Sequence, residues 1–128
     1  MKGYIGNIEK LALENQNFRE VLYTAKNSQL VLMSVGAGEE IGEETHGLDQ
    51  FIRVEAGRGV VILDGVSSEI NDGVAVLIPA GTKHNVKNTG EESLKLYSLY
   101  APPEHKDGTV HILKADVQEE HFDGRTTE

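Results

Sequence analysis

Residues 73–88 read GVAVLIPAGTKHNVKN. Val74–Ile78 has strand length, and Pro79-Ala80-Gly81 closes it with turn chemistry. Side chains of a strand alternate faces, so beyond the turn His84 shares a face with Val86 and Asn88. Val74–Ile78 is apolar on both parities, as is Val60–Leu63 (VVIL). Such runs predict strands covered on two sides, in a closed or double-sheet architecture.

The same pattern extends outward in both directions. Ser28–Val35, Gln50–Glu55 and Leu94–Tyr100 are further runs of strand length. Gly36-Ala37-Gly38, Asp64-Gly65, Asn71-Asp72-Gly73 and Asn88-Thr89-Gly90 separate them as turns. Short strands at this spacing predict a sandwich or barrel. Long helical periodicity is missing, and the helix candidate lies near Ala115–His121. The polar end, His121–Glu128, is expected to fray. One domain over residues 1–128 follows, with a core about 18–113 and a tail 114–128.

Composition narrows the function classes. Twelve basic and 21 acidic residues give a net charge of −9. That balance argues against nucleic acid and against an anionic membrane as partner. The chain has no cysteine, which excludes disulfides, thiolate metal sites and a thiol nucleophile. The opening MKGYIGNIEKLALEN carries charges where a secretory signal needs an unbroken apolar stretch, so a cytoplasmic location is expected.

Potential metal donors gather between residues 43 and 50. Glu44, His46 and Gln50 have even parity, continued as an apolar wall by Ile52 and Val54. Two oxygens and an imidazole nitrogen on one face are three ligands for a divalent cation, and His84 is a candidate fourth. His46 read alone is a turn histidine beside Gly47. Gln50 is either a ligand or a hydrogen-bond partner of bound water. Asp49 and Arg53 point the other way and read as structural or dimer-forming. Gly36, Gly38 and Gly42 do not make a phosphate loop, because the spacing is wrong and the neighbours are acidic.

These residues resemble the cupin family. Gly73, Pro79, Gly81, His84 and Asn88 fit its second motif at every position. Gly38, Glu44, His46, Gln50 and Gly57 align with the first motif, with Glu44 in place of its first His and Gln50 in place of its Glu. Both replacements are oxygen donors. Tyr100–His111 and the Glu44–Gln50 stretch are also similar to a small-cupin group labelled mannose-6-phosphate isomerase-like.

The resemblance implies an all-β jelly roll, a double-stranded β-helix, with one divalent metal ion inside: zinc, iron, manganese or nickel. Glu44, His46, Gln50 and His84 would hold it. One carboxylate and two imidazoles leave the ion at net +1, which suits a Lewis acid with open positions. The expected function is a metal-dependent enzyme, isomerase- or epimerase-like, on a small oxygenated or sugar-like molecule. A metal-dependent dioxygenase and a non-catalytic small-molecule sensor are the alternatives. His105 and His111 are candidates for acid–base work, against a plain loop hydrogen bond. Tyr97 and Tyr100 have opposite parity, so at most one faces the pocket. A homodimer is expected, with Phe51 as an outward apolar contact.

Overall fold

The computed structural model describes residues 2–118 and 120–128. Two antiparallel sheets face each other. The larger has the order β6-β3-β8-β2-β1-β9, with β1 at Arg19–Thr24, β2 at Gln29–Val35, β3 at Asp49–Ala56, β6 at Ala75–Ile78, β8 at Leu94–Ala101 and β9 at Val110–His111. The smaller has the order β5-β4-β7, with β4 at Arg58–Leu63, β5 at Val66–Asn71 and β7 at His84–Asn88. This is the expected all-β jelly roll.

Alternation builds the core. Ile52 and Val54 on β3, Val31 and Met33 on β2, and Leu94 and Leu96 on β8 are buried between the sheets. Val61 and Val86 close it from the smaller sheet. Gly59 lets β4 approach β7, since a Cβ there would lie 2.2 Å from the Lys87 carbonyl oxygen. The turn after β6 needs Gly81, whose φ is +86° while Thr82 N–H closes on the Pro79 carbonyl at 3.1 Å.

Four features differ from the sequence reading. First, β6 is covered on one side: Val76 and Ile78 are buried, but Leu77 is 65% exposed. It is an edge strand, and among the described residues no element covers Leu77 on its outer face. Second, the helix near Ala115–His121 is a short 3₁₀ turn at Lys114–Asp116, and Glu119 lies outside the described residues.

Third, an α-helix, α1, stands instead at Ile8–Glu14, capped by the Asn7 side chain accepting from Lys10 N–H. It contacts β2, β3 and β8, where Ala12 and Leu32 are both fully buried yet outside the core between the sheets. Two turns are too short for periodicity to announce. Fourth, the tail is pinned. Thr127 N–H donates to the Thr24 carbonyl at 2.9 Å, Thr24 N–H donates to Thr127 Oγ1 at 2.8 Å, and Phe122 N–H donates to the Glu104 carbonyl at 3.0 Å.

Candidate metal centre and pocket

Residues 40–44 run antiparallel to β7, bridging Glu40 to Lys87 and Glu44 to His84. Glu44 N–H donates to the His84 carbonyl at 2.8 Å, and His84 N–H returns the bond at 2.9 Å. The two side chains are therefore direct cross-strand neighbours. The Pro79–Thr82 turn is tied to the same region: Gly81 N–H donates to the His46 carbonyl at 2.8 Å, and Ala80 N–H donates to Asp49 Oδ1 at 2.9 Å. Asp49 is thus structural. So is Asn88, whose amide donates to the Val35 and Glu92 carbonyls while its oxygen accepts from Gly90 N–H.

His84 is buried, and its Nδ1 lies 2.9 Å from the Thr82 carbonyl. A carbonyl only accepts, so Nδ1 carries the proton and Nε2 keeps its lone pair. That is the tautomer a metal ligand needs. The His46 ring lies 5.2 Å from that of His84, its Nε2 is 3.2 Å from Glu44 Oε2, and its Nδ1 is 3.6 Å from Glu104 Oε1. The Glu44 hydrogen bond raises the His46 pKa; burial opposes this, and the charge of Glu104 adds to it. Burial alone would push Glu44 up, but the His46 hydrogen bond and charge bring it below the ordinary value.

Gln50 is buried on β3. Its Nε2 donates to Ser98 Oγ and to the Tyr100 hydroxyl, both at 3.2 Å, while its Oε1 has no partner. Glu44, His46 and His84 come together directly, and Gln50 joins them through Tyr100, whose ring is 6.1 Å from His46. Among the described residues no three carboxylate or imidazole groups stand as a ready cation nest, for His46 is engaged by two carboxylates. The donors nonetheless fit a divalent ion chemically. They comprise a carboxylate, an imidazole with its lone pair fixed, a second imidazole, and a buried amide oxygen with nothing donating to it.

Tyr100 faces this interior and Tyr97 does not. Tyr97 pairs in register with Leu32 and Arg53 on the outer face, so parity removes it from the candidate catalytic groups. Burial raises the Tyr100 hydroxyl pKa, so it stays protonated and donates or accepts as a neutral group.

His105 stacks edge-on to Tyr100 at 5.2 Å. Burial, then the charge of Arg19, pushes its pKa down to about 3. It is held by Gln29, a side chain that sequence reading passed over. Gln29 Nε2 donates to the His105 carbonyl at 2.7 Å and to Thr24 Oγ1 at 2.9 Å, and its Oε1 accepts from His105 N–H at 3.0 Å and Glu104 N–H at 3.3 Å. His111 on β9 stands opposite Arg19, with Nδ1 3.4 Å from the guanidinium. Desolvation, followed by the Arg19 charge, lowers its pKa, so it accepts from Arg19 as a neutral ring.

A cavity of about 250 Å³ is lined by Arg19, Glu44, Glu104, His105 and His111, with Lys114, Val117 and Gln118 also on its wall. This volume is near the lower end of the range for small-molecule sites.

His105 sets a pH dependence. A histidine whose folded pKa is depressed binds fewer protons folded than unfolded, so stability falls as pH drops below its ordinary 6.5 and continues to fall toward 3. The slope from this group is at most about 1.4 kcal/mol per pH unit. The raised His46 acts with the opposite sign, so the comparison must isolate His105. Urea unfolding of parent and His105→Gln at pH 7 and pH 5 is expected to show the variant gaining about 2 kcal/mol on the parent at the lower pH. Parallel pH profiles would contradict the buried, neutral ring.

Residues 31–100 match the family model for the cupin domain. The uncharacterized protein YrkC of Bacillus subtilis (strain 168) is 48% identical over 123 residues, which are 91% of this chain and 66% of that protein. The chain thus spans just under two thirds of that relative's length. The crystal structure of BH2720 from Bacillus halodurans superposes with a TM-score of 0.88 at 49% identity, over 90% of this chain and 92% of that one. An RmlC-like cupin from Shewanella frigidimarina NCIMB 400 shares the fold, with a TM-score of 0.61 at 21% identity over 66% of this chain and 74% of that one.

Proposed function

The chain belongs to the cupin family, and from that premise we propose that it holds one divalent metal ion with Glu44, His46, Gln50 and His84 and acts on a small oxygenated molecule. The observation that carries the proposal is the orphaned Gln50 Oε1, buried and linked through Tyr100 to the His46–His84–Glu44 cluster, with its own amide nitrogen already committed. A buried acceptor without a donor is costly unless something electropositive meets it.

When bound, the ion supplies Lewis acidity toward a carbonyl or hydroxyl oxygen. The chain's own residues do the rest. Thr82 fixes the His84 ring, and Ser98 with Tyr100 orients the Gln50 amide. His105, held neutral with an unpartnered Nε2, and the protonated Tyr100 hydroxyl are the chain's own groups for hydrogen-bonding and orienting a substrate oxygen. Proton-shifting chemistry of the isomerase kind is the leading reading, with dioxygenase chemistry and silent sensing as its rivals.

Metal analysis of gently purified protein tests this reading. About one ion per chain is expected, and a stoichiometry near zero that added zinc, iron, manganese or nickel does not restore would overturn it. Turnover of an aldose or a 2-oxo acid with solvent deuterium entering the product favours the isomerase, and oxygen uptake favours the dioxygenase.

The same reading includes a cytoplasmic homodimer. Among the described residues no helix is long and apolar enough to cross a membrane. Leu77, Phe51 and Leu99 are register neighbours across β6, β3 and β8, with Leu77 65% and Leu99 36% exposed, and a second copy of the chain is the proposed cover for this strip. Leu77→Glu should halve the mass measured by light scattering; a parent that is already monomeric would remove the dimer.

A further inference from the structure

Arg19 is an unusual cation for its position. It sits on β1 with its side chain turned inward beside Val21, and it is only 6% exposed. Its guanidinium lies over the Phe18 ring at 5.3 Å and reaches His111 Nδ1 through Nη1, while Nε has no partner. Among the described residues no carboxylate lies within ion-pair distance of it.

The carboxylates that share the cavity are all engaged elsewhere. Glu44 is bonded to His46, Glu104 to His121 and His46, Glu43 to Lys83 and Glu120 to Lys106. Lys114, half-buried on the same wall, likewise forms no ion pair among the described residues. The Arg19 charge is felt by Glu44 across the cavity, but a buried guanidinium with no directly paired carboxylate is destabilising unless a ligand completes its hydrogen bonds.

We infer that the cavity takes an oxyanion, most directly a small carboxylate, gripped by the Arg19 guanidinium, with His105 on the same lining. Arg19 and His105 are both more than nine-tenths buried, both line the cavity, and each has one nitrogen (Nε and Nε2) with no partner. A planar guanidinium edge matches a carboxylate or phosphoryl group through paired hydrogen bonds, and the cavity's volume restricts the ligand to a small molecule. This deepens the proposed function and rests on it for the location of the chemistry. The Arg19 grip itself does not need the metal.

The test titrates pyruvate, malonate and inorganic phosphate, with glycerol as a neutral control, into the protein as purified and into chelator-treated protein. Calorimetry gives affinity, and the Arg19 Nε–Hε NMR resonance gives location. Saturable binding of at least one oxyanion that shifts this resonance is expected. Arg19→Gln should weaken it roughly 10- to 100-fold and Arg19→Lys less, with metal content unchanged in both. Preference for phosphate over the carboxylates, with the same Arg19 dependence, supports the oxyanion grip and identifies the group.

Arg19-dependent binding in chelator-treated protein that never held metal would keep this inference while ending the metal reading. Equal binding by parent and Arg19→Gln, or no saturable binding of any of the three anions, overturns it. Arg19→Lys retains the charge and guards against a folding defect in the glutamine variant.

Discussion

His84→Ala should leave the purified protein with less than about a tenth of the parent's metal while its β-rich circular dichroism is unchanged. Both halves of this expectation have a structural basis. The bonds that hold the strand start in place are made by the main chain, His84 N–H to the Glu44 carbonyl and Glu44 N–H to the His84 carbonyl, and alanine keeps them. The removed atom is Nε2, the lone pair that the Thr82 contact leaves free. Loss of a partner that merely orients a ligand costs roughly 10–100-fold in affinity, so loss of a ligand itself should exceed that. Competition against a chelating dye measures the difference. A variant that binds the ion as tightly as the parent would place the ion elsewhere in the molecule, and the proposed coordination would have to be given up.

Gln29→Leu should cost about 3–5 kcal/mol of unfolding free energy in urea, out of proportion to a near-isosteric change. Gln29 is 1% exposed and satisfies the Glu104 N–H, the His105 N–H and the His105 carbonyl, acting as a substitute strand for that segment. Leucine fills the space but leaves these main-chain groups buried without partners, at about 1–3 kcal/mol each. Gln29→Glu, which keeps the acceptor but cannot donate to the His105 carbonyl, should fall between leucine and the parent. A loss below about 1 kcal/mol in the leucine variant would mean that the segment detaches readily and that the Glu104–His105 wall of the cavity is not fixed by this contact.

The strands that carry the core were legible because the code there is local. Alternation marks β2, β3 and β8, and one parity set placed Gln50, Ile52 and Val54 on the inner face, where all three are buried. The Pro79-to-His84 spacing likewise fixed the turn and the imidazole beyond it. Elsewhere the local signal was weak. In β5 only Ile70 is buried, and β1 mixes charge with apolar residues, so neither run stands out. Arg19 and Gln29 look like ordinary surface residues in a linear reading. What makes them interior is pairing with partners about 75 to 90 positions away, His105 for Gln29 and His111 for Arg19. Leu77 fails in the reverse sense: an apolar run says that a strand prefers cover, and among the described residues nothing provides it on the outer face.

The Thr127–Thr24 pairing has a practical consequence when joined to what Thr24 touches. Thr24 receives the Gln29 amide, and Gln29 holds His105 at the cavity wall. A relay of three short contacts thus runs from Thr127 to His105 at the cavity wall. Strain applied at Thr127 would reach the main chain of His105 by this route, and Gly3 N–H, which donates to Glu128 Oε2 at 2.8 Å, ties residue 3 into the same region.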